Sequence, residues 1–294
     1  MSHLSLRENS YRRKHLAYVR HITLDPTGPG VVRIHMIPPH SQSPEDPFLL
    51  LLNGAQLVPL NFSWAVLLSE FMYCMEPYAG LEISADDWES MLEQAVRAVK
   101  KVYPFVKASL LREDMGTLLR SLVAIARGQE PEVEVAPLSL GEYADKMSAP
   151  HRMDLMVSAM TRDGLWHCNQ KCLHCYAAGQ PMGEVKELDT AQWKELLQRL
   201  QAANIPQVTF TGGEPTLRSD LVELVNAAQW FVTRLNTNGR RLTADLCKAL
   251  YEASLDSVQV TLYSDKAAVH NALVGVDGFG DTVAGIKNAV ESGL

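Results

Sequence analysis

The sequence predicts an α/β protein whose C-terminal half is built from parallel strands joined by helices, with a smaller α+β module in front of it. Strand patterns that begin near residues 156, 207, 231 and 257 alternate with helical patterns. This repeat implies parallel strands and right-handed crossovers. Upstream of residue 150 the order differs, because strands come first and helices follow. We therefore divide the chain into a module over 1–130, a linker over 131–150 and an α/β core over 151–294.

The elements of the core follow from apolar periodicity and from capping residues. A strand over Met156–Met160 precedes a cysteine-rich segment, and the helix that follows begins at the N-cap candidate Asp189. The predicted strands after it are Gln207–Phe210, Phe231–Leu235 and Ser257–Leu262, and the predicted helices are Leu188–Ala203, Asp220–Ala228, one from Thr243 and one from Asp281 that stops at Gly293. Each helix follows a strand, as the repeating unit requires.

The N-terminal module has the order strands, then helices. The predicted strands are Val31–Ile37, Phe48–Leu52 and Gln56–Leu60, and the predicted helices are Phe62–Met75, one from the cap Ser84 to about Tyr103, and Met115–Ala126. Asn53-Gly54 is a hairpin signal between the second and third strands. The basic residues near the N-terminus predict a solvated arm, and residues 128–134 predict an acidic linker.

Composition limits the classes of function. A net charge of −7, from 27 basic and 34 acidic residues, argues against nucleic acid as the main partner. The first residues lack the apolar segment of a secretory signal, and the aliphatic run Leu49–Leu52 is too short to cross a bilayer. We therefore expect a cytoplasmic protein with no membrane partner. Cys74 and Cys247 lie among apolar residues at helical spacing and are expected in the core.

Three cysteines lie within eight residues, in the pattern C-x₃-C-x₂-C formed by Cys168, Cys172 and Cys175. In a reducing compartment, thiols so close together indicate a metal site rather than disulfides. Three thiolates can hold three irons of a [4Fe–4S] cube and leave the fourth iron without a protein ligand. The alternative is a zinc knuckle with His167 or His174 as fourth ligand, although the sequence has no second pair of ligands of the kind such sites use.

A second motif, Thr211-Gly-Gly-Glu-Pro215, begins 36 residues after the last of these cysteines, between a predicted strand and a predicted helix. Gly212 and Gly213 let the backbone come close to a ligand, and Glu214 offers a carboxylate to a cationic group. Alone, such a segment is more often an ordinary turn. Its weight comes from its place one βα unit after the cysteines.

The two motifs together resemble the radical S-adenosylmethionine (SAM) superfamily, and within it the peptide-modifying, SPASM-like maturase branch. The resemblance implies a partial TIM-like barrel of six βα units with its site at the carboxyl ends of the strands. It implies that the three cysteines hold a [4Fe–4S] cluster whose open iron binds SAM, and that Gly212, Gly213 and Glu214 bind the SAM amine. It also implies an oxidoreductase or maturase in which an electron from a flavodoxin- or ferredoxin-like donor generates a 5′-deoxyadenosyl radical for hydrogen abstraction. The residues that act on the substrate stay unknown.

The same resemblance marks three further positions for SAM. Asn236 and Thr237 lie at the end of the third strand, where the family often has Thr-Asn-Gly. Thr261 matches a serine that commonly contacts the ribose or carboxylate of SAM. Turn-forming residues and a β-branched strand residue explain these positions equally well.

Three residues bear on the substrate side or on the packing around the cluster. His174 occupies the position that is usually aromatic in the family, and Tyr263 departs from the usual Ser-Leu/Ile-Asp-Gly. His270 resembles a histidine common in the peptide-modifying branch, and a surface histidine at a helix start is the alternative. The departure at Tyr263 leaves the substrate contacts open.

The chain supplies four of the six βα units that the family resemblance implies and stops at Leu294, where a fifth strand should begin. We therefore expect a fragment, a truncated reading frame or a chain completed by a partner. A continuation would supply two more units, and a cysteine-rich tail within it would hold auxiliary clusters. The second hypothesis for the function is a truncated, non-catalytic iron–sulfur scaffold.

The N-terminal module loosely resembles the winged-helix domain that recognises peptides in radical SAM enzymes acting on ribosomal peptides. That resemblance implies a peptide or protein substrate gripped by residues 31–126. The strand Phe48–Leu52 is expected to be exposed and to accept the peptide by edge addition. The alternative is a small-molecule route such as cofactor or haem-type maturation, in which the module packs on the barrel.

Overall fold

The computed structural model describes residues 4–24, 32–39, 43, 46–78, 81, 83–136, 138–144, 147, 149–158, 161–162, 165–178 and 186–294. The predicted strand residues Val31, Ala159 and Met160 lie outside these ranges. The chain forms two compact units, Met1–Ala149 and Pro150–Leu294. Within the described residues, no helix has the length and apolar character needed to cross a membrane.

The N-terminal unit contains a four-stranded antiparallel sheet. Its strands lie in the order β1 (Arg20–Leu24), β2 (Val32–Ile37), β3 (Phe48–Leu52) and β4 (Gln56–Leu60). The predicted turn at Asn53-Gly54 joins β3 to β4, and its two residues have φ of 49° and 66°. Both values lie in the left-handed region that Asn and Gly tolerate best, which is why this pair predicts a hairpin.

Helices pack against this sheet and against one another. They are α1 (Leu6–His15), α2 (Phe62–Met75), α3 (Ala85–Val102) and α4 (Ala108–Ala126), followed by the short α5 (Leu140–Ala144) in the predicted linker. The core of the unit forms where Ile34, Met36 and Leu50 of the sheet meet Phe71 and Met115 of the helices. Ser84 caps α3 as predicted, because its hydroxyl accepts a hydrogen bond from the amide of Asp87.

Two expectations for this unit are wrong. The basic arm is in fact helix α1, which Ser5 and Glu8 begin with a capping box and which buries Tyr11. The strand Phe48–Leu52 is not an exposed edge, since β2 and β4 pair with it on its two sides and all five of its residues are buried. A run of apolar residues without alternation is typical of an interior strand, and here that signal outweighs the edge interpretation.

The C-terminal unit is built on a four-stranded parallel sheet, and the predicted α/β fold is confirmed. The strands are β5 (Arg152–Ser158), β8 (Gln207–Gly212), β9 (Val232–Thr237) and β10 (Ser257–Val260), in the order β10-β9-β8-β5, and β6 (Thr161–Arg162) pairs with β7 (Leu165–Trp166) beyond the end of β5. The helices are α6 (Thr190–Ala202), α7 (Leu221–Ala227), α8 (Ala244–Glu252), α9 (Ala267–Val274) and α10 (Phe279–Glu291). Because the strands are parallel, their carboxyl ends meet at one edge of the sheet.

Two predicted caps are present in this unit. Asp189 accepts from the amide of Gln192, and the Gln192 side chain accepts in return from the Asp189 amide. Thr243 caps α8 by accepting from the amide of Leu246. Helix α9 was not predicted, since Lys266 precedes it without a side-chain cap. His270 lies inside α9 and is fully buried, so the alternative of a surface histidine at a helix start is wrong.

Candidate functional site

The three clustered cysteines lie in one segment, residues 167–176, which we call the cysteine loop. It follows β7, and the side chains of Cys168, Cys172 and Cys175 are all partly buried. Burial raises the pKa of Cys168 to about 11, with further contributions from Glu214 and the other two thiols, and burial also raises the pKa of Cys172. Both thiols are therefore neutral at pH 7 in the metal-free chain. A bound cation would stabilise the thiolate forms of these two cysteines, because its positive charge would offset the cost of burying their negative charges.

Among the residues that the structure describes, no group of three or more His, Cys, Asp and Glu side chains is arranged to hold a metal ion. A zinc ion needs its ligands to converge on one point. The thiolates of a [4Fe–4S] cube instead bind separate irons.

The Gly-Gly-Glu turn packs directly against β5 and the cysteine loop. Gly212 has φ +142°, and a Cβ there would lie 2.8 Å from the amide nitrogen of Ser158. A Cβ on Gly213 would overlap the carbonyl oxygen of His167. The Gly213 amide donates to the Ser158 carbonyl (3.0 Å), and the Glu214 amide donates to the His167 carbonyl (2.9 Å). The two glycines are therefore required by close contact with the protein's own backbone.

Glu214 is fully buried, and its carboxylate accepts four hydrogen bonds. The amide and hydroxyl of Thr216 donate to Oε1 at 3.0 and 2.5 Å. The hydroxyl of Thr237 also donates to Oε1 (2.6 Å), and the amide of Asn238 donates to Oε2 (2.8 Å). Since a carboxylate has about four lone-pair positions, this set uses most of its accepting capacity. Glu214 joins the carboxyl end of β8 to that of β9.

The other predicted SAM positions lie differently. Thr237 is buried and contacts Glu214, whereas Asn236 precedes it in β9 and so faces the opposite side of the sheet. Thr261 is exposed just beyond β10, and its amide donates to the carbonyl of Thr237 (3.2 Å). The structure therefore brings Gly213, Glu214 and Thr237 together, next to the start of the cysteine loop.

Two residues just beyond β9, Asn238 and Arg240, hold the start of the cysteine loop. The Asn238 side-chain amide donates to Oδ1 of Asn169 (2.7 Å), and Arg240 donates to the Asn169 carbonyl (2.8 Å). Arg240 is also paired with Asp281 of α10 at 3.1 Å. Contacts across 69 and 71 residues leave no local pattern in a sequence, and that is why Asn169 and Arg240 were not identified.

A second network, of hydrogen bonds and ion pairs, begins at His167 and extends to Arg218. The ring of His167 hydrogen-bonds Glu187 (2.6 Å), which lies 3.5 Å from Arg218. Arg218 makes two parallel hydrogen bonds to Asp220 and donates to the carbonyl of Val157 in β5 (2.9 Å). Its side chain is 8% exposed. The guanidinium therefore connects the end of β5 to the start of α7 and to the chain before α6.

Clustered thiols thus lie beside a glycine-rich turn at the carboxyl edge of a parallel sheet, the edge where ligands bind in open α/β folds. Residues 167–294 match the family model of the radical SAM superfamily. This segment is a radical SAM domain, and a [4Fe–4S] cluster and SAM are the cofactors of that superfamily.

Relatives of different activity each match less than half of the chain. A probable GTP 3′,8-cyclase of Thermococcus kodakarensis is 38% identical over 126 residues, which cover 42% of this chain and 41% of that protein. The Fe-coproporphyrin III synthase of Methanosarcina barkeri is 34% identical over 143 residues (48% and 35%). The mycofactocin maturase MftC of Mycolicibacterium smegmatis is 31% identical over 137 residues (46% and 35%). The predicted superfamily is thereby confirmed, with maturases among the relatives. The matched segments span 35–41% of the lengths of these relatives.

Among solved structures, that of Streptococcus suis SuiB bound to S-adenosylmethionine aligns with a TM-score of 0.43 and 17% identity. The alignment covers 84% of this chain and 52% of SuiB. A TM-score at this level does not establish a common fold for the whole chain.

Proposed function

We propose that this chain acts as a radical SAM enzyme in which Cys168, Cys172 and Cys175 ligate a [4Fe–4S] cluster and the turn from Gly212 to Glu214 holds SAM beside it. The observation that carries this proposal is the direct contact between the two motifs. The Glu214 amide donates to the carbonyl of His167, the residue before the first cysteine, at 2.9 Å. The thiols and the turn thus share one edge of the sheet, as a cluster and its ligand require.

The residues of this edge fit both groups. The partly buried thiols favour a cationic partner. Two buried polar atoms near them, the side-chain nitrogen of Gln170 and the hydroxyl of Ser158, have no hydrogen-bond partner within the described part of the chain. A buried polar group without a partner is costly, and a bound polar ligand would satisfy it.

When bound, the cluster and SAM supply the radical chemistry that removes a hydrogen atom from the substrate. The protein's part is to bind, orient and exclude water. In this proposal Glu214 holds the turn rigid through Thr237, so that the turn backbone is preorganised for the SAM amine. A direct contact of its carboxylate with that amine would compete with the four hydrogen bonds it already accepts. Asn236 and Thr261 remain proposed SAM contacts.

The proposed electron donor is a small flavodoxin- or ferredoxin-like protein. Leu173 and Tyr176 flank the last two cysteines and are 78% and 81% exposed. One side of the cysteine loop therefore faces solvent in the described part of the chain, which is compatible with the approach of a reductant.

Anaerobic reconstitution of the full chain tests the cluster. We expect about four irons and four sulfides per chain, the stoichiometry of a cube. Cys172→Ala should lose the [4Fe–4S] spectrum, whereas the matched control Cys247→Ala, at a buried cysteine in α8, should keep it. A preparation that takes up zinc and never forms a cluster would refute the proposal. A cluster that forms without any reductive cleavage of SAM would favour the non-catalytic scaffold instead.

For the substrate we propose a peptide or protein, with the N-terminal module as its recognition domain. The support is the order of strands β2–β4 followed by helices α2–α4, the order expected of a winged-helix-like peptide-binding domain. A small-molecule route is the rival, since the relatives include a GTP 3′,8-cyclase and an Fe-coproporphyrin III synthase.

A further inference from the structure

The second half of the cysteine loop is held by a part of the chain that contributes no cysteine and no residue of the Gly-Gly-Glu turn. Nε2 of His174 lies 2.7 Å from the hydroxyl of Tyr263, 89 residues further along the chain. The two rings also meet edge to face, with centroids 4.7 Å apart and planes at 85°. His174 lies between Cys172 and Cys175, so this contact acts on the segment that carries two of the three thiols.

The backbone of the loop is docked on the same region. The amides of Lys171 and Leu173 donate to the carbonyls of Val274 and Leu273, the last residues of α9, both at 2.9 Å. Gly275 ends the helix with φ +68°, and a Cβ there would lie 2.5 Å from the Lys171 carbonyl oxygen. The loop therefore satisfies carbonyls that the end of a helix leaves without intrahelical partners.

Tyr263 is held in turn by His270 of α9. Its amide donates to Nδ1 of His270 at 3.4 Å, and the His270 ring meets Phe279 edge to face at 5.7 Å. His270 is fully buried, so it cannot swing away without opening the core of the unit. A line of contacts thus runs from His174 through Tyr263 and His270 to the start of α10.

We infer that Tyr263 is a positioning residue that, through His174, fixes the segment from Cys172 to Cys175 against the end of α9. Its meaning for the cofactor rests on the proposed function, but the contact itself can be tested in the metal-free chain. Burial raises the pKa of Tyr263. The hydroxyl therefore keeps its proton at neutral pH and remains able to hydrogen-bond.

The inference predicts a selective change in thiol reactivity. In the metal-free full chain, Tyr263→Phe removes the hydrogen bond and keeps the ring. A net hydrogen bond of about 0.5–1.5 kcal/mol corresponds to roughly two- to tenfold faster alkylation of Cys172 and Cys175, measured for each cysteine by mass spectrometry. Cys168 is held by separate contacts around His167 and Asn169, so its rate should stay within about 1.5-fold of the wild-type rate if only this hydrogen bond is lost.

Controls separate positioning from general loosening. Tyr18→Phe, at a tyrosine 74% exposed in the N-terminal unit, should change no cysteine rate. Cys247, buried in α8, reports global opening within every sample. His174→Phe should reproduce the effect, and Phe at both positions should be no faster than either single variant. The exchanged pair His174→Tyr with Tyr263→His should restore much of the slow rate.

The reconstituted protein provides a second readout. Tyr263→Phe should release iron to a chelator at least twofold faster than Tyr18→Phe does, as followed by the loss of visible absorbance. Unchanged rates at Cys172 and Cys175 in Tyr263→Phe would overturn the inference, and so would equal acceleration at Cys247. Failure to form a cluster would count against the proposed function alone, since the alkylation result does not depend on iron.

Discussion

At Gly213 the residue type is set by the cysteine loop, because the carbonyl oxygen of His167 occupies the place of a side chain. Gly213→Ala should push the turn and the loop apart and break the hydrogen bond from the Glu214 amide. We expect at least tenfold faster hydrogen exchange at that amide, which corresponds to a loss of about 1.4 kcal/mol or more in the free energy of local opening. Iron uptake on reconstitution should also be lower. Gly280→Ala is the matched control, since a Cβ there meets nothing within 4 Å. Equal effects of the two substitutions would contradict this account of Gly213.

The carboxylate of Glu214 gives a second prediction at this scale. In the wild type, backbone and hydroxyl donors point at both carboxylate oxygens of Glu214. Glu214→Gln replaces one of these oxygens by an NH₂ group, which cannot accept their hydrogen bonds. The free energy of unfolding of the C-terminal unit should fall by about 1–3 kcal/mol, the cost of leaving buried donors unsatisfied. Glu223→Gln, at an exposed glutamate paired with Lys194, should cost less than about 1 kcal/mol. Urea unfolding of the two variants compares these values. A Glu214→Gln midpoint equal to that of the wild type would contradict the proposal that Glu214 holds the turn rigid.

Single residues also show how far sequence reasoning reaches. Cys168, Cys172, Cys175 and the Gly-Gly-Glu turn were identified because their chemistry depends on spacing that is visible within a few residues. Arg218 was missed because its partners Val157 and Glu187 lie far from it in sequence and no residue type marks such a contact in advance.

Among the elements, those with a cap and a regular apolar face were predicted closely. Helix α6 is an example, because Asp189 caps it and Trp193, Leu197 and Leu200 form its buried face. Helix α9 has neither signal and was missed, although it carries His270 and holds the cysteine loop. Helix α1 was missed although Ser5 and Glu8 form a capping box, because it buries little beside Tyr11 and Arg12 and so has no regular apolar face.

The connection that Arg218 makes between β5, α7 and the chain before α6 leads to a prediction for these elements. Arg218→Met leaves Asp220 without its bidentate partner and the Val157 carbonyl without its donor. Breaking a largely buried pair costs on the order of 3 kcal/mol, seen as a lower urea midpoint of the C-terminal unit. Arg199→Met, at an arginine 73% exposed, is the control and should change stability by less than about 1 kcal/mol. If Arg218→Met costs no more than Arg199→Met, the ion pairs of Arg218 are as weak as those of a solvent-exposed arginine, and this prediction is wrong.

The pairing of β1 with β2 makes the N-terminal unit sensitive to acid. Burial lowers the pKa of His21 well below its usual value, and the charges of His35 and Arg33 lower it further. The folded unit therefore takes up this proton less readily than the unfolded chain. Stability should fall as the pH drops below about 6.5, by at most about 1.4 kcal/mol per pH unit for this group.

Hydrogen exchange at the β1 and β2 amides between pH 7 and 5, corrected for intrinsic exchange rates, measures this fall. His21→Gln should flatten the dependence, while His15→Gln, at an exposed histidine of α1, should leave it as in the wild type. A wild-type profile that is flat over this range would show that His21 gains no protection from its burial.

For the whole molecule, the division into Met1–Ala149 and Pro150–Leu294 places every cysteine-loop and Gly-Gly-Glu residue in the second unit. The proposed recognition role of the first unit therefore has to be carried by surfaces other than the cofactor site. The interior position of Phe48–Leu52 removes one such surface. The edge strand β4 is also contacted, since the amide of Leu138 donates to the carbonyl of Leu57.

Removing residues 1–149 tests that role. Peptides selected by the full chain from a displayed random library should bind the shortened chain at least tenfold more weakly, a loss of about 1.4 kcal/mol or more. SAM binding by the reconstituted shortened chain, measured by equilibrium dialysis, should stay within about twofold of the full chain if the cofactor site lies in the second unit. Retained SAM binding shows that the shortened chain is folded, so that a loss of peptide affinity reports recognition rather than collapse. If the shortened chain binds the selected peptides as tightly as the full chain does, the first unit is not a recognition domain, and a small-molecule substrate becomes the better hypothesis.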